Sequence, residues 1–264
     1  MVEIAICLAI IGVALVAIIG VLPLGLRTQR DNREETIINQ DATVFLEAIR
    51  NGARGLNDLT NYVYAVTNYW TLFGANGTVI KGGGTINNGY TFANVSIAPG
   101  YTSASGSPIN NGTNIIGLLS TPEYLDSTNS TPISSLYNGG YSNHVVAYVR
   151  SLSGPAVEKP PQDNQIIQQD AFTYRILCVN APVARDTNAL AQPLPYGNYD
   201  KQLAASLREL RLTFLWPQLP NGNLGAGRQT FRTMVAGQLT PIFANGRWLY
   251  FYQPQNFTNV VTAQ

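Results

Sequence analysis

From Ile4 to Leu26 the chain is apolar for twenty-three residues, broken only by small residues and Pro23, and no charge follows until Arg27. A helix of that length spans roughly 34 Å, enough for the hydrocarbon core of a bilayer. No soluble fold hides such a segment easily, so it constrains everything after it. A cleavable secretory signal has a basic start, a shorter apolar stretch and a small-residue cleavage site. Here the residue just before the run is an acid, Glu3. A plain signal-anchor helix fits the length but leaves Glu3 without a purpose.

The remainder is long enough for one sizeable domain or two small ones. Formal net charge is +1, and charged residues are 12% of the chain, against about 25% in ordinary soluble proteins. Asn, Thr, Ser, Gly and Tyr supply the polar surface instead. That composition offers no argument for a nucleic-acid partner. It suits a surface that packs against copies of itself, or a glycosylated extracellular protein. Cys7 falls in the apolar run and Cys178 in an expected strand, so a disulfide between them is geometrically unfavourable. Both read as small buried apolar residues, without a disulfide framework or a metal site.

Residues 27–36 are dense in charge, with Arg27, Arg30, Asp31, Arg33, Glu34 and Glu35. Beyond them Ile38, Phe45, Ile49, Leu56, Leu59 and Val63 recur at helical spacing. The pattern predicts a hydrophobic helix over 1–30, an amphipathic helix over 31–66 and a β-rich head over 67–264. The second helix continues the first, with a weak point at Pro23-Leu24-Gly25, where proline removes a backbone donor and glycine disfavours helix. Residues 74–143 are rich in Gly, Asn, Ser and Thr, which predicts short strands and long loops.

Period-2 patterns mark 144–152, 171–179, 207–217, 227–237 and 246–254 as strands. In 207–217, Leu210, Leu212, Phe214 and Trp216 share one face and Arg211 and Thr213 the other. The last three strands have links short enough for an antiparallel meander. The expected architecture is α+β: a long N-terminal helix whose C-terminal half packs on an antiparallel sheet with long Gly/Asn/Ser/Thr-rich loops.

VEIAICLAIIGVALVAIIGVLP resembles the N-terminal segment of type IV pilins and of the pseudopilins of type II secretion. The likeness covers about the first fifty residues. It implies that a prepilin peptidase removes a short leader and that the new N-terminal amine, at Met1, is methylated. It also implies that Glu3 is the family glutamate, offset in the filament by a neighbour's amine, that Gly12 is a small residue of the packing helix, and that Pro23 is the helix-breaking proline. The family glutamate is usually the fifth mature residue and here it is the third, so either two residues are missing or cleavage precedes Met1. The run to Pro23 is also about three residues longer than usual. The stretch LRELRLTFLWPQLPNGNLGAGRQTFRTMVAG is similar to large pilin-like proteins of the verrucomicrobial type, which implies no specific function.

A catalytic role has little to stand on. His144 is the sole histidine, too few for a Ser/His/Asp or Cys/His set. No His/Cys cluster suggests a metal, and the Asp/Asn loops lack calcium-ligand spacing. The glycines at 82–84 lack the Lys-Ser/Thr of a phosphate loop. The aromatics read as sheet core and surface. Asn-X-Ser/Thr sequons fall at Asn76, Asn94, Asn111, Asn129 and Asn256, possible glycosylation sites on loops that would also govern adhesion. The expectation is therefore a non-enzymatic major pilin, without a cofactor, partnered with itself. It would sit in the inner membrane as a precursor, handled by the peptidase and the pilus assembly machinery, and then join an extracellular filament. The competing readings are a pseudopilin and a monomeric membrane-anchored surface binding protein.

Overall fold

The computed structural model describes residues 2–52, 57–81, 91–93, 111–128, 130–136, 138–154, 171–183, 206–219, 221–244 and 247–253. One helix, α1, runs unbroken from Val2 to Arg50. The weak point expected at Pro23 does not interrupt it. Proline at a helical φ forfeits one backbone bond and clashes with the preceding turn, yet the helix continues through it to Arg50. The chain divides into two compact units, Met1–Gln40 and Asp41–Gln264.

The predicted helix to residue 66 is corrected. Helix α1 stops at Arg50, where the Asn51 and Gly52 N–H groups bond back to the Glu47 and Ile49 carbonyls. Gly52 has φ +57°, and a Cβ there would collide with the Tyr252 carbonyl. Only glycine can make that exit, a left-handed helix stop. A 3-10 helix follows at Asn57–Asn61. Val63 then opens β1 (Val63–Ala75), whose β-branched and aromatic residues favour a strand. Leu59 and Val63 keep helical spacing with what precedes them, but they belong to different elements.

The head is built on an antiparallel eight-stranded sheet with the path β2-β1-β5-β6-β7-β8. Strands β2 (Val79–Lys81) and β3 (Thr91–Ala93) flank β1, and β4 (Tyr124–Leu125) pairs with β5. The run β5 (Asn138–Arg150), β6 (Thr173–Pro182), β7 (Leu207–Gln218) and β8 (Leu224–Ala236) is a meander. Strands β9 (Gln238–Ala244) and β10 (Arg247–Gln253) form a separate two-stranded sheet. Thus the strands expected at 144–152, 171–179, 207–217, 227–237 and 246–254 are present, with shifted ends, and the α+β class holds, but the last of them, β10, pairs with β9 and does not join the expected meander.

Within 74–143 the structure contains, besides short strands, a helix that the composition hides: α2 (Gly112–Leu119). Its start is set by Asn111, whose side chain accepts from the Asn114 N–H at 2.9 Å, a standard N-cap. Ile115, Ile116, Leu118 and Leu119 are buried. Gly117 lets α2 approach β10 so closely that a Cβ would meet Leu249 Cβ at 2.8 Å.

Alternation decides which face of the sheet is core. Val145, Ala147 and Val149 of β5 register with Cys178, Ile176 and Tyr174 of β6. Leu212 and Phe214 of β7 register in turn with Cys178 and Ile176. All these are buried, because residues opposite one another in an antiparallel pair share a face. Tyr174, Phe214 and Phe231 carry a row of tilted and edge-on ring contacts at 5.4 and 5.5 Å. Cys178 is buried as expected, its Sγ 2.9 Å from the Leu119 carbonyl, and burial pushes its thiol pKa up. Cys7 is exposed rather than buried, a correction that follows from its place on the bare apolar helix; both thiols are free.

The last ten residues of α1 belong to the head unit. Ala42, Phe45 and Ile49 are fully buried. Asp41, at 0% exposure, is the polar centre of this docking. Its Oδ1 accepts from the Ser153 N–H at 2.8 Å, and its Oδ2 from the Leu152 N–H at 2.9 Å and the Tyr174 hydroxyl at 2.7 Å. Three donors replace the water that the carboxylate loses, which is what makes a buried charge tolerable.

Candidate functional site

The first unit presents an unusual surface. Every Val, Ile and Leu from Val2 to Leu26 stands between 53% and 73% exposed. This is the one helix, among the described residues, long and apolar enough to cross a membrane. An apolar surface of this size marks an interaction with lipid or with protein.

Helix geometry sorts its side chains. At 3.6 residues per turn, Ile4, Leu8, Ile11, Leu15, Ile18 and Leu22 follow one another at alternating steps of four and three and form one stripe. Ala5, Ala9, Gly12, Val16 and Gly20 form a second stripe beside it. Composition alone leaves the small residues dispersed round the helix; Ala14, Ala17 and Gly25 lie off the small side. Added Cβ atoms at Gly12, Gly20 and Gly25 would meet nothing within 4 Å. Glycine disfavours helix by about 1 kcal/mol relative to alanine, and nothing among the described residues repays that at these positions.

Glu3 lies in the first turn of α1, where a carboxylate is favoured by the helix dipole. It has no hydrogen-bond or ion-pair partner among the described residues. Met1 lies outside them, so the expected amine is not described. Pro23 sits on the same side as the small residues and near the end of the bare segment. Past it, Thr28 Oγ1 donates to the Leu24 carbonyl at 3.0 Å, and Arg30 pairs with Glu34 at 2.7 Å. The charged collar is thus at least partly satisfied along its own helix.

The remaining candidates are scattered. Asn76 lies on an exposed turn between β1 and β2 with φ 63°. Asn111 uses its side-chain oxygen to cap α2. Asn94, Asn129 and Asn256 lie outside the described residues, as do the glycines at 82–84. His144 is exposed in the middle of β5. Among the described residues no group of three His, Cys, Asp or Glu side chains could hold a metal ion. Sequence reasoning passed over Asp41, although a lone acid between Gln40 and Ala42 on the apolar stripe of an amphipathic helix is a signal that it is buried and bonded.

Compared with known proteins, the chain matches no family model, no curated protein and no solved structure.

Proposed function

We propose that the chain is a structural subunit of the pilin type, held in a membrane by Val2–Leu26 and then polymerised through that helix into an extracellular filament. The observation that carries this reading is the bare apolar helix that contains a carboxylate and open glycines. A lipid bilayer satisfies the aliphatic side chains but gives Gly12 and Gly20 nothing to do. A bundle of like helices gives both a role. The large stripe of one copy meets the small side of the next, and close approach strengthens dispersion contacts. Burying 1,000 Å² of apolar area contributes on the order of 25 kcal/mol before entropic costs.

In such a bundle Glu3 leaves water, and an unpaired carboxylate there would cost several kcal/mol. A neighbour's N-terminal amine offsets it and sets the stagger between copies. Adhesion through the head loops, methylation of the N-terminus and cleavage by a prepilin peptidase belong to the same reading.

The test is electron microscopy of material sheared from cells, for the native chain and for Glu3→Ala. Smooth fibres that contain the chain, lost or shortened in the variant, are the expected result. Recovery in membrane vesicles alone, unchanged by Glu3→Ala, would replace the filament with a monomeric anchored surface protein. Short periplasmic assemblies would indicate a pseudopilin.

A further inference from the structure

The face of the sheet opposite the core carries a concentration of charge that the net +1 conceals. Across β6, β7 and β8 the register sets Arg175, Leu215 and Arg228 in one row. Leu177, Thr213 and Thr230 form the next row, Val179, Arg211 and Arg232 the third, and Ala181, Glu209 and Met234 the last. Four guanidiniums and one carboxylate thus share a single face. Arg211 and Arg232 are direct cross-strand neighbours, an arrangement that is destabilising for like charges. Glu209 answers both at long range, 3.7 Å from Arg211 and 3.9 Å from Arg232. Arg228 is exposed and has no ion pair among the described residues, and Arg232 is 66% exposed. Arg175 is committed within the head, donating to the Gly222 carbonyl and lying 4.8 Å from the Tyr148 ring centre.

Edge strands carry charge to deter pairing, but that need is met by one or two charges on β8 itself. It does not call for Arg211 on the inner strand β7. A surface that sets four guanidiniums against one carboxylate suits an anionic partner. Arg228 and Arg232, four residues apart on one strand, are spaced by ~14 Å, so the partner is extended and carries repeated charges. Among them the Thr213 and Thr230 hydroxyls pair at 2.9 Å, and Leu177, Val179 and Leu215 form a low apolar ridge. Across these three strands the face offers no aromatic side chain for stacking bases, and the neighbouring Tyr148 ring is buried beside Arg175. A broad sheet face also cannot enter a major groove, which admits a helix or a two-stranded ribbon.

We propose that the β6–β8 face binds an acidic polysaccharide of the polyuronate kind. Its carboxylates match the planar guanidinium forks, and its hydroxyls match the threonine pair. The inference is independent of polymerisation.

The experiment uses the full chain in detergent micelles, with alginate as probe and neutral dextran and a short DNA duplex as comparisons. Alginate binding is expected, weakening as salt rises. The Arg228→Gln/Arg232→Gln double variant should weaken it at least ~tenfold with unchanged circular dichroism. Arg27→Gln/Arg50→Gln, which removes the same charge elsewhere, should leave it intact. Equal binding of dextran, equal loss in the two double variants, or tighter binding of the duplex than of alginate would overturn the proposal.

Discussion

Two of the carboxylates on helix α1 stand in opposite circumstances. Asp41 is completely buried and holds three donors from its own chain. Glu3 stands among exposed aliphatic side chains and holds none among the described residues. The contrast extends to their surroundings. Around Asp41, Phe45 and Ile49 already have their neighbours, and around Glu3 every large apolar side chain is still waiting for one. One end of a single helix is finished by folding. The other keeps its apolar side chains exposed.

The sharpest way to break that comparison is to delete each acid in turn. Asp41→Ala strands two backbone N–H groups and a buried phenol, and should lower stability by about 3 kcal/mol or more. Thermal melting of the full chain in detergent measures it. Glu3→Ala should shift the same transition by less than about 0.5 kcal/mol. Equal losses in both would mean that Glu3 too is part of the fold.

A second prediction concerns alkali. Burial first, and the Asp41 charge second, hold the Tyr174 hydroxyl well above its ordinary range; burial does the same for Tyr64 and Tyr252. A raised folded pKa means that the folded state keeps its proton longer. The stability these groups contribute is therefore complete below about pH 10 and declines above it, with a limiting slope of about 1.4 kcal/mol per pH unit for each group. Denaturant midpoints between neutral pH and pH 11 read the slope. Tyr174→Phe should flatten it, and a slope unchanged in that variant would show that Tyr174 is not among its causes.

A smaller loss than that of Asp41→Ala should come from Asn111→Ala. Losing the α2 cap costs about 1 kcal/mol, again as a shift of the head's melting and not of filament yield. A change in filament yield without a change in melting would move α2 from the finished part of the molecule to the unfinished one.

The same contrast explains what could be read from the chain. The apolar run, Glu3 and Pro23 are plain in the sequence because nothing interrupts them. The strands of the meander are plain because a face such as Leu210, Leu212, Phe214 and Trp216 repeats with period two. The helix end is different. Asn51-Gly52 is a stop signal, but Leu59 and Val63 continue the helical spacing by coincidence and outvote it. Val63-Tyr64-Ala65-Val66 suits either period, so β1 stays hidden until it pairs with β5. Helix α2 is masked by its Gly- and Asn-rich neighbourhood, although Asn111 marks its start. The arginine face could not be read at all, because it exists only once three strands are in register.

The pairing of β1 with β5 sets an order of events. The β5–β8 meander joins strands that follow one another along the chain, whereas Thr67 must find Val146 across everything between them. Closing that long loop is entropically slower. Helix α1 leads into β1 through Gly52, so its buried turn, Ala42 to Ile49, has no seat until the sheet stands. Seating of that turn is thus among the last steps of folding, whereas the apolar end of the same helix makes only local contacts and does not wait for it.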